Sequence, residues 1–175
     1  MRAMLVAIVL GACVVPAQAP APAPPRDVLQ DVLASPDLDG RAIAEAGPPG
    51  DAPRATVLIV FASWCVHCHE EIATLDALRA RHPGLRVIGV NYRGHEEYDA
   101  RGNAEAVRNY VRDFAPWMRV VPAGEPLFTE LGRPPKVPTI YVYDARGALV
   151  QIYDRQYREA PGAGELDQLF DRLGA

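Results

Sequence analysis

Two cysteines three positions apart are the most reactive feature of this chain. They lie in FASWCVHCHEE, residues 61–71, and their setting suits two incompatible uses. Cys65-Val66-His67-Cys68-His69 fits C-x-x-C-H, which attaches a c-type haem through two thioethers. Trp64-Cys65-Val66-His67-Cys68 equally fits W-C-x-x-C, a redox dithiol at the start of a helix. The first would serve an electron carrier and the second a thiol–disulfide enzyme. The elements that hold the pair must decide.

Residues 56–61 (TVLIVF) form an unbroken β-branched and apolar run, the pattern of a strand buried on both faces. The spacing after the cysteines predicts a helix over 69–81, stopped by HPG at 82–84. Cys68, Ile72, Leu75 and Leu78 fall on one stripe of that helix. This puts Cys68 on its buried side and Cys65 at an exposed helix entrance. Further helices are expected over 27–33, 104–114 and 164–173, the second turning Val107, Tyr110, Val111 and Phe114 inward. Strands are expected over 86–90, 139–143 and 148–153, the last two joined through DARG as a hairpin. The charged run YRGHEEYDARGN, 92–103, reads as a solvated surface loop. Helices alternating with buried strands make a layered α/β domain with crossovers. A c-type cytochrome domain of this size is more usually helical, so a strand running straight into Trp64-Cys65 favours the dithiol.

The chain has 175 residues, 49% apolar and 23% charged, which gives one folded domain and no room for two ordinary ones. A net charge of -4 with no arginine-rich run excludes a nucleic-acid binder. Residues 1–15 read as an export signal: a basic start, then the apolar run MLVAIVLGACVV, too short to span a bilayer. LGAC, ending at Cys13, resembles a bacterial lipobox and makes Cys13 a candidate lipid-attachment site; cleavage after Ala17 or Ala19 is the alternative. Residues 16–26 are a Pro/Ala-rich spacer, and the domain proper is expected over 27–175. The expected location is the periplasm or cell envelope. With Cys13 in the export segment, Cys65 and Cys68 are the only cysteines of the mature domain. So small a loop constrains little of the unfolded chain, so the pair is there for chemistry and not as a staple.

Three stretches in order resemble the thioredoxin superfamily, and within it the exported TlpA/ResA-like thiol–disulfide oxidoreductases. They are VLIVFASWCVHC, the acid Glu71 six residues after Cys65, and KVPTIYVYDARGALV with Val137-Pro138-Thr139. The resemblance covers roughly residues 36–173. It implies a thioredoxin-like fold, a central mixed β-sheet flanked by helices, with Pro138 cis and facing the dithiol. The sequence departs from the pattern at three places. Ile59 stands where thioredoxin has a buried aspartate, Ala73 where a proline is common, and His67 where proline usually precedes the second cysteine. A histidine there is similar to the C-P-H-C of DsbA-type oxidases.

The resemblance also implies roles. Cys65 would be the nucleophile, ionised by the helix N-terminus and tuned by His67. Cys68 would be the resolving thiol and Glu71, one turn on, its proton acceptor, with Glu70 as rival. Trp64 would rim the site, and Val137 and Pro138 would present backbone to a client. The redox-active disulfide Cys65–Cys68 would serve without further cofactor or metal. Partners would be protein thiol or disulfide clients and a membrane-embedded thiol reductase as electron donor. A reductant is the expected direction. A disulfide-forming oxidase is the alternative within the class; outside it stands a haem or metal carrier, using His69 with Met118 as a distant axial ligand.

Overall fold

The computed structural model describes residues 28–43, 52–156 and 160–175. The expected signal, Cys13 and the spacer lie outside the described residues. Among those described, no helix is long and apolar enough to cross a membrane.

Five strands build one sheet: β1 (Ala55–Val60), β2 (Leu85–Tyr92), β3 (Arg119–Ala123), β4 (Thr139–Asp144) and β5 (Leu149–Tyr153). Their order is β3-β2-β1-β4-β5. β1 pairs in parallel with β2, and β2 with β3, while β4 runs antiparallel to both β1 and β5. The sheet is therefore mixed, as expected. β1 is central and all six of its residues are buried. Its alternate side chains serve two cores. Val57 and Ile59 pack with Ile72, Leu75, Val107, Leu166 and Phe170, whereas Leu58 and Val60 pack with Val28, Val32, Val121 and Tyr141. This double burial explains why the strand reads as continuously apolar.

Helix α1 (Val28–Ala34) thus lies on one face of the sheet, and α2 (Val66–Arg79), α4 (Ala104–Phe114) and α6 (Ala163–Leu173) lie on the other. Two shorter helices, α3 (Arg93–Glu96) and α5 (Glu125–Glu130), follow β2 and β3. The 144–147 turn closes the β4–β5 hairpin, with the Asp144 carboxylate accepting from Arg146 N–H (2.8 Å) and Ala148 N–H (2.9 Å). Gly147 there takes φ +76°, a conformation few side chains tolerate.

Three sequence expectations need correction. β3 and α5 were not anticipated, because RVVPA is short and carries Pro122. A proline within a strand is tolerated mainly at a sheet edge, and β3 is one of the two edge strands. Residues 92–103 are not simply a solvated loop: Tyr92 ends β2, 93–96 form α3, and Glu96 is 2% exposed. Phe114 does not face inward but is 73% exposed, since α4 ends there and turns its last residue away from the sheet.

Candidate active site

The dithiol sits where β1 gives way to α2. Cys65 is the N-cap of α2, with extended backbone, and its sulfur accepts the Cys68 N–H at 3.3 Å. A thiol thus occupies the position usually filled by Ser, Thr or Asp, aimed at free N–H groups and the positive end of the helix dipole. No acidic residue in the first turn of α2 competes for that field. Cys68, one turn on, is wholly buried beneath the sheet face, as its place on the apolar stripe requires. Cys65 is only 6% exposed, a correction to the exposed entrance expected for it: the backbone around Val137 closes over the sulfur, leaving it reachable from one side.

Both sulfurs are unbonded, and the site polarises them in opposite directions. A hydrogen bond from the Cys68 thiol, then the Cys68 N–H and the charges of His67 and Arg155, pull Cys65 from 9.0 down to about 6 against the opposing effect of burial. Burial first, then the neighbouring Cys65 sulfur, push the Cys68 thiol far up. Near neutral pH Cys65 is therefore the thiol that ionises, while Cys68 keeps its proton. This is the division of labour between an attacking and a resolving thiol.

Across from Cys65 the Val137–Pro138 peptide is cis, and the Val137 carbonyl oxygen lies 3.8 Å from Cys65 Sγ. The two segments are 72 residues apart in sequence. The sheet unites them: Val60, at the end of β1, is paired with Thr139, at the start of antiparallel β4. Glu71 is half-buried and its Oε2 has no hydrogen-bond partner. Burial raises its carboxyl above the ordinary carboxylate value, partly offset by Arg155. Its rival Glu70 is exposed and bonds His67 Nδ1 at 3.2 Å, so the two neighbouring acids have separate environments.

Trp64 donates its indole N–H to the Glu96 carbonyl at 2.8 Å, which turns the ring edge-inward beside the nucleophile. The carboxylate of the same Glu96 accepts from Ser63 N–H (2.8 Å), from Ser63 Oγ and from Asn91 Nδ2 (2.8 Å). His69 Nε2 lies 2.7 Å from the Ser63 carbonyl, and its ring stacks on Tyr110 at 4.4 Å. Ser63 is thus held on both sides, and with it the two residues that lead into Cys65. The loop leading into α4 packs so closely on the end of α3 that a Cβ on Gly102 would stand 1.8 Å from the Glu96 carbonyl oxygen and 2.7 Å from Trp64 Cδ1.

Glu96, Asn91 and Arg155 went unnoticed in the sequence. Glu96 hides among charged neighbours, and Arg155 follows a strand with no motif of its own. One signal was present, an Asn inside an otherwise apolar strand, since a buried amide needs partners. Met118, by contrast, is buried in the core, packed near Phe61 and Val120 around Gly89.

No protein-family model matches the chain, and no curated protein does. Solved structures do. A thiol:disulfide interchange protein of the thioredoxin family from Chlorobium tepidum TLS superposes with TM-score 0.63 at 18% identity, covering 91% of this chain and 99% of its own. The fold is thioredoxin-like. A secreted Mycobacterium tuberculosis disulfide oxidoreductase homologous to E. coli DsbE gives 0.60 at 16% identity, covering 81% and 98%. StoA from Bacillus subtilis gives 0.56 at 17%, covering 77% and 92%. At these identities the likeness establishes the thioredoxin-like architecture, and activity must be argued from the site itself.

Proposed function

We propose that this chain is an exported thiol–disulfide oxidoreductase of the TlpA/ResA-like kind, reducing disulfides in protein clients. The observation that carries this reading is Cys65 Sγ at the cap of α2, lowered to about 6 and facing the Val137 carbonyl beside cis-Pro138. An extended client segment laid along Val137 would bring its disulfide to that sulfur. The Cys65 thiolate attacks one client sulfur, forming a mixed disulfide and expelling the other as a thiolate. Cys68 then passes its proton to Glu71 and attacks Cys65 Sγ, releasing the second client thiol. The client gains two electrons, and the protein is left with the Cys65–Cys68 disulfide. A membrane-embedded thiol reductase would supply the next pair, and Cys13, if lipidated, would hold the domain at the membrane.

The Cys65 value favours the reducing direction: about 6 lies nearer thioredoxin, at ~7, than the oxidase DsbA, at ~3.5. His67 is the observation behind the oxidase alternative, because its charge also stabilises the thiolate. A measured potential separates them, near about -270 mV for a thioredoxin-like reductant and about -120 mV for an oxidase. The haem alternative is disfavoured by two placements: His69 Nε2 is engaged by Ser63, and Cys68 is enclosed in the core. A metal carrier is disfavoured because, among the described residues, no three His, Cys, Asp or Glu side chains converge.

Insulin reduction by the purified protein, lost in Cys65→Ser, tests the activity. A Cys68→Ser variant should accumulate mixed disulfides with its clients in cells. Absence of both would refute the proposal.

A further inference from the structure

The sheet order decides what surrounds Cys65. Strands β2 and β4 flank β1, so the segment after β2 and the segment before β4 rise on either side of the nucleophile. β5 is antiparallel to β4, with Tyr153 opposite Ile140, so the chain leaving β5 arrives at the same end of the sheet. The result is a groove of about 650 Å³ with Cys65 in its floor. One wall is aromatic: Trp64 and Tyr98, ring centroids 6.2 Å apart, with Tyr98 84% exposed. The other wall is cationic: Lys136 and Arg155, joined by the Lys136 ammonium donating to the Arg155 carbonyl at 3.4 Å.

The charge of this groove runs against that of the protein. The chain carries -4 overall, yet among the described residues no Asp or Glu lines the groove. Among the described residues neither Lys136 nor Arg155 takes part in an ion pair. His67, also at the rim, is bonded to Glu70, so the lasting positive charge comes from the Lys136–Arg155 wall. An exposed tyrosine beside a half-buried tryptophan contributes little to folding and much to contact with a partner.

We propose that the groove selects clients: an extended protein segment whose cysteine lies next to a carboxylate side chain on one side and an aromatic or large apolar one on the other. The carboxylate meets Lys136 and Arg155, and the apolar residue covers Trp64 and Tyr98. This inference rests on the thiol-exchange reading and adds its substrate class. Complementary charge at a rim acts mainly on the association rate and is screened by salt.

The test uses the reduced full chain with Cys13→Ser, which removes the thiol outside the site, and two cysteine peptides, each carried as its mixed disulfide with neutral mercaptoethanol. They are identical except for Glu or Lys beside the cysteine. Each rate is divided by that peptide's rate with free mercaptoethanol thiolate, which removes the disulfide's own reactivity. The Glu/Lys ratio of these normalised rates is the readout, so any change in the reactivity of Cys65 cancels between the peptides. The native chain should favour Glu about 10-fold in 20 mM salt, falling towards parity near 0.5 M. Lys136→Glu should cut the ratio several-fold, and Lys136→Glu with Arg155→Glu should reverse it. Parity at low salt, or a ratio unmoved by the double variant, overturns the proposal while leaving thiol exchange intact. If neither peptide exchanges although Cys65 still alkylates, the exchange reading fails and this inference falls with it.

Discussion

Replacing Cys68 with alanine should raise the pKa of Cys65 without exposing it. The largest influence lowering Cys65 from 9.0 to about 6 is the hydrogen bond from the Cys68 thiol, ahead of the Cys68 N–H and the charges of His67 and Arg155. A hydrogen bond to a charged group is worth about 1.5–3 kcal/mol. At about 1.4 kcal/mol per pKa unit, its loss raises the pKa by roughly 1–2 units. Removing a stabiliser of the anion can only move the thiol up, and the surviving N–H keeps it below the ordinary value. At pH 7 the ionised fraction then falls from about nine-tenths to between about one-half and one-tenth. Iodoacetamide alkylation, followed by mass spectrometry from pH 4 to 10, measures this directly. Of the Cys65–Cys68 pair only Cys65 should react in the native protein, because Cys68 is buried and protonated. Alkylation of Cys68→Ala at pH 7 should be about 2- to 10-fold slower than that of the native protein, with the curves converging above about pH 9. Cys68→Ser keeps an O–H donor and should fall between the two. The sign extends to stability. A folded value below the unfolded one means the thiolate stabilises the reduced fold, fully above about 9 and no longer once pH falls through about 6. A native midpoint near 9, or coincident native and Cys68→Ala curves, would refute the reasoning.

Three further variants have expected outcomes. Glu71→Gln should slow release of the mixed disulfide by roughly 100-fold while leaving Cys65 alkylation near normal, as rapid-quench kinetics would show. Because burial raises the Glu71 carboxyl, the unfolded chain ionises it more readily; the same variant should raise Tm at pH 7 and leave it unchanged at pH 4. Glu96→Ala leaves the Ser63 N–H and O–H without their acceptor, while Asn91 Nδ2 keeps the Phe61 carbonyl, and should cost about 3 kcal/mol in urea unfolding, with a changed Trp64 fluorescence; a loss under about 1 kcal/mol would mean the clamp is incidental. His67→Ala removes a positive charge that stabilises the Cys65 thiolate, so the reduction potential should fall, by about 10 mV for so exposed a group, in glutathione equilibrium measurements.

Much of the architecture was legible in the sequence because local patterns coincided with burial. The β1 run is almost wholly apolar because the sheet is covered on both faces, and α4 was legible at 104–114 from the spacing of Val107, Tyr110 and Val111; the structure adds its cap, the Asn103 side chain accepting from Glu105 and Ala106 N–H. The stripe through Cys68, Ile72, Leu75 and Leu78 marks the buried face of α2 and the enclosure of Cys68, but not the burial of Cys65, whose neighbour Val137 comes from a distant segment. Phe114 misled, because helical spacing marks a face but does not say where the sheet beneath it ends.

What the sequence determined alone is the pair of sulfurs, their place at a strand-to-helix junction and the three-residue spacing that puts one at the cap and the other one turn inside. Tertiary structure decided what those sulfurs are worth. The Val137 carbonyl comes to Cys65 from 72 residues away, Glu96 grips Ser63 from 33 away, and Arg155 reaches the site from beyond the last strand. Those distances are set by strand order, and charge and burial act through space, so no local window of residues contains them.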